Sequence, residues 1–213
     1  MNLRVGRRRV EVTHPEKVLF PGVGLTKLDL ARHYERVGPA MVPHVRDRPL
    51  AMRAYPAGIE RPGFFLKAAP AHFPEWIPRV VIAKRGGTLT QVVVREPATL
   101  VYLAAQNVIE PHVFLSRADQ PDRPDRLIID LDPSHERFAE VRAAARAAGD
   151  RLRDLGLHPY AMTSGSRGIH VVAPLRRGPS FTDVHRFARA LAEGMVAENP
   201  DQLTLEWHTA ERG

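Results

Sequence analysis

Leu127-Ile128-Ile129-Asp130-Leu131-Asp132-Pro133 is the stretch on which the reading of this chain turns. A short apolar run leads directly into two carboxylates at alternate positions, the pattern of a buried strand that ends at a charged edge. Side chains on a strand repeat every second residue, so Asp130 and Asp132 point the same way and Leu131 faces the opposite side. At a rise of about 3.3 Å per residue their Cα atoms lie roughly 6 to 7 Å apart, close enough to hold one divalent ion or to bridge a pair. A plainer reading stands beside it: two acids at a strand end are also ordinary solvated turn residues, with Pro133 stopping the strand.

About thirty residues on, Thr163-Ser164-Gly165-Ser166-Arg167-Gly168-Ile169-His170 leads into a second apolar run, Val171-Val172-Ala173. Two glycines allow a tight turn whose N–H groups face an anion, and Ser164, Ser166 and Arg167 add donors suited to phosphate oxygens. The segment reads as a triphosphate cradle, or, taken alone, as a simple Gly-Ser hairpin with an exposed arginine. Between the two motifs, Phe138 to Leu155 is rich in alanine and arginine, and Gly156 stands where a helix stop belongs. Strand, helix and strand in this order bring the acids and the turn onto neighbouring elements of one sheet.

The chain has 213 residues, 44% of them hydrophobic, enough for one large domain or two small ones with a real core. A formal charge of +7, with Arg7-Arg8-Arg9 bunched near the start, suggests a polyanionic partner, although arginine-rich coding produces the same excess. The absence of cysteine rules out disulfides and thiolate metal sites. No apolar stretch approaches the length of a membrane span, and the first residues lack the apolar core of a signal peptide, so a cytoplasmic protein is expected.

Along the rest of the chain, Val10 to Thr13 suggests a short strand before a turn at His14-Pro15 and a break at Pro21-Gly22. Thr26 and Asp29 resemble a capping box, opening a helix with Leu30, Tyr34 and Val37 on one face and Gly38-Pro39 at its end. Leu50, Met52 and Ala54 alternate with Ala51, Arg53 and Tyr55 as in an edge strand. Val80 to Ala83 and Thr88 to Arg95 flank a probable hairpin turn at Lys84-Arg85-Gly86-Gly87. Pro97 suits the first turn of a helix to about Asn107, and His112 to Leu115 is another strand. Thr182 to Ala197 reads as a helix through Val184, Phe187, Leu191 and Met195, and Leu203 to Trp207 as a last strand. The fold class that follows is mixed α/β.

Taken in order, Val12-Thr13-His14-Pro15-Glu16-Lys17-Val18-Leu19-Phe20-Pro21, Thr26-Lys27, Phe64-Phe65-Leu66-Lys67, Glu110-Pro111-His112, Ile129 to Pro133 and Thr163 to His170 carry a resemblance. The chain resembles the polymerase domain of bacterial ATP-dependent DNA ligase D, a primase-polymerase of the archaeo-eukaryotic primase superfamily that serves non-homologous end joining. The resemblance implies a primase-like fold with a central mixed sheet flanked by helices. It also implies a single domain over 1–213, with a DNA-binding subregion over about 1–120 and a catalytic core over about 121–213.

It further implies roles for individual residues. Asp130 and Asp132 would hold two Mn²⁺ or Mg²⁺ ions, and the substrate would be a nucleoside or deoxynucleoside triphosphate. Ser164, Ser166, Arg167 and His170 would contact the nucleotide, with His112 nearby; the family commonly carries Lys where this chain has Arg167. Lys17 and Lys27 would receive a 5′-phosphate on the downstream DNA strand. One of Phe64 and Phe65 would stack on a base, and at least one of the two is expected in the core. Arg53 and Lys67 would add DNA contacts. Partners would be DNA with 5′-phosphorylated ends or gaps, the Ku protein and a ligase module. The histidines show no zinc-binding spacing.

The family's third metal-binding aspartate lies on a strand shortly after a segment like Leu203-Thr204-Leu205-Glu206, and this chain stops at Gly213, leaving the core incomplete at its C-terminus. Glu206 would substitute as a ligand if the last strand packs beside the acids. Three functions are therefore carried forward: a DNA-directed nucleotidyltransferase that favours ribonucleotides, a non-catalytic DNA-end-binding module, and a Mn²⁺-dependent nucleotide-sugar transferase.

Overall fold

The computed structural model describes residues 1–134 and 137–206. The chain divides into two compact units, Met1–Pro121 and Asp122–Gly213. Four α-helices and several sheets among the described residues make the architecture mixed α/β, as expected, although the strands are shared among separate sheets and do not build one central sheet.

The first unit opens on a hairpin of β1 (Asn2–Val5) and β2 (Arg8–Glu11), whose alternating Leu3, Val5 and Val10 are buried. The strand expected at Val10 to Thr13 thus starts earlier and gains a partner. A short pair, β3 (Val18–Phe20) and β4 (Leu25–Thr26), leads into α1 (Lys27–Val45). The Thr26 hydroxyl accepts from the Asp29 N–H while the Asp29 carboxylate accepts from the Thr26 N–H, the capping box read from the sequence.

Helix α1 does not stop at Gly38-Pro39 but runs on to Val45 through Pro39 and Pro43. Its buried stripe continues past the break through Gly38, Val42 and Val45, and tertiary burial outweighs a lost backbone hydrogen bond. Gly38 belongs to a packing contact: a Cβ there would lie 2.8 Å from Cβ of Pro97 at the start of the second helix.

Strand β5 (Pro49–Ala54) occupies the middle of a five-stranded sheet, not its edge. One side of it pairs with β6 (Phe64–Leu66) and, further along, with β8 (Gly87–Val93), which forms the expected hairpin with β7 (Arg79–Lys84). After α2 (Pro97–Ala105), with proline in its first turn, β9 (Val108–Val113) pairs with the other side of β5. Leu50, Met52 and Ala54 are buried in the core, and β5 has neighbours on both sides. Period-two alternation reports which face is buried and is silent about the number of neighbours.

A short hairpin, β10 (Ser116–Arg117) and β11 (Gln120–Pro124), carries the chain into the second unit. There β12 (Arg126–Leu131) is followed by α3 (Phe138–Asp154), β13 (Tyr160–Thr163), β14 (Ile169–Pro174) and α4 (Phe181–Glu198). The sheet order is β12-β14-β13, so the crossover through α3 leaves a gap that β14 fills antiparallel to both. Leu127, Ile129, Val171 and Ala173 form a core with Val141, Ala148 and Leu152 of α3 and Leu191 and Met195 of α4. Phe187 lies on α4 but stays exposed.

The strand expected at Leu203 to Trp207 is not formed over 203–206, and Trp207 lies outside the described residues. The Thr204 hydroxyl accepts from the Glu206 N–H at 3.1 Å, a local turn that competes with strand pairing.

Candidate functional site

In the second unit, burial of Leu127 and Ile129 and inward packing of Leu131 turn Asp130 and Asp132 to the other side, where both are exposed. Asp130 is the cross-strand partner of His170, and the His170 Nε2 lies 3.2 Å from Asp130 Oδ1. Thus His170 is turned onto an acid, while its Nδ1 is buried without a hydrogen-bond partner. Asp132 lies just beyond the last residue of β12.

The Gly-Ser segment is the loop of the β13–β14 hairpin, closed by a 3.1 Å hydrogen bond from the Ser164 N–H to the Gly168 carbonyl. The Ser164 hydroxyl oxygen accepts from the N–H groups of Gly168 at 3.0 Å and Ser166 at 3.4 Å. Two donors expected to face an anion are therefore engaged within the loop, while the Ser164 hydroxyl proton remains a donor. Ser166 and Arg167 are exposed.

The acids and the loop meet at Gly168. A Cβ placed there would lie 2.5 Å from Asp132 Oδ1, 2.7 Å from the Leu131 carbonyl oxygen and 3.2 Å from Ser164 Oγ. The sheet order makes this contact, because β14 runs from the loop directly alongside β12.

Two carboxylates are hard oxygen donors of the kind that would suit Mg²⁺ or Mn²⁺. Among the described residues no group of three or more His, Cys, Asp or Glu side chains is placed to hold a metal, so Glu206 does not join the pair.

In the first unit the register of three strands builds a second cluster. Phe65 of β6 stands opposite Arg53 of β5, which stands opposite Glu110 of β9, and His112 follows two residues after Glu110. The Phe65 and His112 rings lie 5.4 Å apart, and the Arg53 guanidinium carbon lies 5.5 Å from the Phe65 ring centre. Neither phenylalanine is core: Phe64 is 49% and Phe65 51% exposed, because β6 is a short edge strand. Lys67 is exposed just past the end of β6. Sequence reasoning missed Glu110 and Tyr55 as members of this cluster. Only the alternation of Glu110 with His112, and of Arg53 with Tyr55, hinted at a shared face.

Lys17 and Lys27 also meet. The Lys27 N–H donates to the Lys17 carbonyl at 2.8 Å, and Lys27 is only 4% exposed. Burial lowers the Lys27 pKa, the neighbouring Lys17 charge lowers it further, and Glu16 opposes both.

A folded-state pKa below the ordinary lysine value of 10.5 means that the unfolded chain binds more protons in that interval, so stability rises with pH there. Lys27→Met, which removes the strained charge, is therefore expected to raise the melting temperature by a few degrees near neutral pH. The advantage shrinks as the pH climbs through the lowered pKa toward 10.5, a convergence that thermal melts at several pH values would show.

Residues 26–213 match the model of the family described as LigD, primase-polymerase domain. The chain belongs to that family. It is 32% identical over 206 residues to the multifunctional non-homologous end joining protein LigD of Mycobacterium bovis, covering 92% of this chain and 27% of that protein. The LigD of Pseudomonas aeruginosa is 27% identical over 202 residues, covering 94% of this chain and 24% of its own length. The chain thus spans about a quarter of the length of these LigD relatives.

Among solved structures, the polymerase domain of Mycobacterium tuberculosis ligase D in complex with DNA superposes with a TM-score of 0.89 at 32% identity, covering 96% of this chain and 75% of that one. The LigD match leaves the nucleotide-sugar transferase reading without support. No described helix is long and apolar enough to cross a membrane.

Proposed function

We propose that this chain is a DNA-directed nucleotidyltransferase of bacterial non-homologous end joining, adding nucleotides, preferentially ribonucleotides, to DNA ends or gaps in the cytoplasm. The observation that carries the reading is the seating of Asp132 against Gly168, which joins the acid pair to the Gly-Ser-Arg loop. Asp130 and Asp132 would hold Mn²⁺ or Mg²⁺, which would supply positive charge toward a primer 3′-hydroxyl and the triphosphate.

The chain's own groups do the rest. Arg167 offers a bidentate fork to phosphate oxygens, and the Ser164 and Ser166 hydroxyls add donors. His170 holds Asp130 in place across the strand pair. In the overall displacement the 3′-hydroxyl loses its proton to solvent, its oxygen forms a bond to the α-phosphorus, the bond from that phosphorus to the bridging oxygen of the β-phosphate breaks, and pyrophosphate leaves. Phe65, or Phe64 beside it, presents an exposed ring on which any base can stack, flanked by Arg53, Lys67 and His112. Ku and a ligase module are the proposed protein partners.

Lys17 and Lys27 form the proposed end sensor, two ammonium groups converging on a dianionic terminal phosphate. The double variant Lys17→Ala with Lys27→Ala is expected to bind phosphorylated and unphosphorylated gapped duplexes equally, where the native chain prefers the former by about tenfold or more. Retention of the preference in fluorescence-anisotropy titrations overturns the sensor.

The decisive experiment is primer extension with Mn²⁺ on a gapped, 5′-phosphorylated duplex. Extension supports the transferase. The rival reading is an end-binding module without chemistry; tight binding without extension establishes it.

A further inference from the structure

Glu110 sits at the centre of the Phe65 cluster, and each of its oxygens is engaged. The Tyr55 hydroxyl donates to Oε1, and His112 Nε2 lies 3.2 Å and Arg53 Nη1 3.6 Å from Oε2. Burial pushes the Glu110 carboxyl up, but the hydrogen bonds from Tyr55 and His112 and the charge of Arg53 outweigh it, so its pKa falls and it stays ionised at neutral pH. An ionised carboxylate only accepts, so the proton of a neutral His112 must sit on Nε2, leaving Nδ1 as an acceptor.

Arg53 is equally constrained. Its guanidinium lies 5.2 Å from the Tyr55 ring centre and 5.5 Å from that of Phe65, and its Nε is buried with no hydrogen-bond partner. Glu110 is thus the anion that holds a cation between two rings. The Glu110 and Arg53 side chains are each more than a third exposed, and ion pairs of that exposure add little to stability. A carboxylate that gathers three side chains, Tyr55, His112 and Arg53, beside a half-exposed aromatic ring therefore points to a ligand for that ring.

We propose that Glu110 is a positioning residue, whose carboxylate locks the His112 tautomer and the Arg53 guanidinium so that the Phe65 face is held ready for an unpaired nucleobase. The inference rests on the reading of the Phe65 surface as a DNA contact. An unpaired base stacked there would meet an aromatic ring with the Arg53 guanidinium carbon 5.5 Å from its centre and the His112 ring 5.4 Å away. Preorganising these groups removes the cost of ordering them when the base arrives.

The test uses the full chain, with Glu110→Gln as an isostere that alternately donates and accepts. Long-range proton–nitrogen spectra are expected to show one His112 tautomer in the native chain and a mixture in Glu110→Gln. A gapped duplex carrying 2-aminopurine in its single-stranded stretch is expected to bind Glu110→Gln about tenfold more weakly, as Phe65→Ala does. Tyr55→Phe, which removes one of the donors, shifts the affinity in the same direction by less.

If Phe65→Ala binds like the native chain, the DNA-contact reading and this inference both fall. If Phe65→Ala weakens binding while Glu110→Gln leaves tautomer and affinity unchanged, the inference alone falls.

Discussion

Asp132→Ala and Asp130→Ala are each expected to reduce single-turnover primer extension by about 10³-fold or more, since each removes one of the two carboxylates of the proposed ion site. Affinity for the phosphorylated gapped duplex is expected to stay within about threefold, because the proposed end contacts are lysines and aromatic rings of the first unit. Both aspartates are exposed, so their loss opens no cavity, and the variants should melt close to the native temperature without divalent ions.

Added Mn²⁺ should raise the melting temperature of the native chain and leave both variants unmoved, because an ion stabilises only a fold that binds it. The two differ in one respect. Asp130→Ala also deprives His170 Nε2 of its acceptor on a side chain whose Nδ1 is already unpartnered, so it should cost more stability than Asp132→Ala. Native-like extension by either variant would remove the acid pair from the chemistry.

Gly168→Ala carries the second large effect. The added methyl would fall 2.5 Å from Asp132 Oδ1 and 2.7 Å from the Leu131 carbonyl oxygen. With Leu131 held in register opposite Ile169, relieving both contacts requires the carboxylate to swing aside and the start of β14 to shift from the end of β12. Extension is expected to fall about 10²-fold, as for other displacements of about 1 Å at a reacting centre.

Gly165→Ala separates this cause from loop strain. Gly165 has φ of 87°, yet a Cβ there meets nothing within 4 Å. That variant should lose about 1 kcal/mol of stability from the unfavourable backbone and keep most of its activity. Equal loss of activity in the two variants would mean that loop conformation, and not the position of Asp132, is what matters.

What was legible in the sequence was local chemistry. Alternation placed Asp130 and Asp132 on one side of β12, and the Thr26–Asp29 pair, Pro97 and the Lys84–Gly87 turn marked element ends through contacts within a few residues. What was not legible depended on distant neighbours. Helix α1 passes through Gly38-Pro39 because Pro97 packs there, and β5 is central because β9 returns to its free side. Phe64 and Phe65 are exposed because β6 ends the sheet, which their apolar character does not reveal.

The site divided along the same line. Each acid and each loop residue could be named, but the engagement of Ser164 Oγ by its own loop and the gathering of Arg53, Tyr55 and His112 on Glu110 arise from hydrogen bonds and cross-strand register. Residue identity carries no record of either.

The β12-β14-β13 order also dictates when the acid pair becomes useful as the protein is made. A ribosome that has released β12 and α3 has exposed both aspartates, but the strand that pins Asp130 through His170 and seats Asp132 at Gly168 has not yet been synthesised. Until β14 slots into the gap, the contacts that fix Asp130 and Asp132 are absent, so the proposed ion site would have to await that strand.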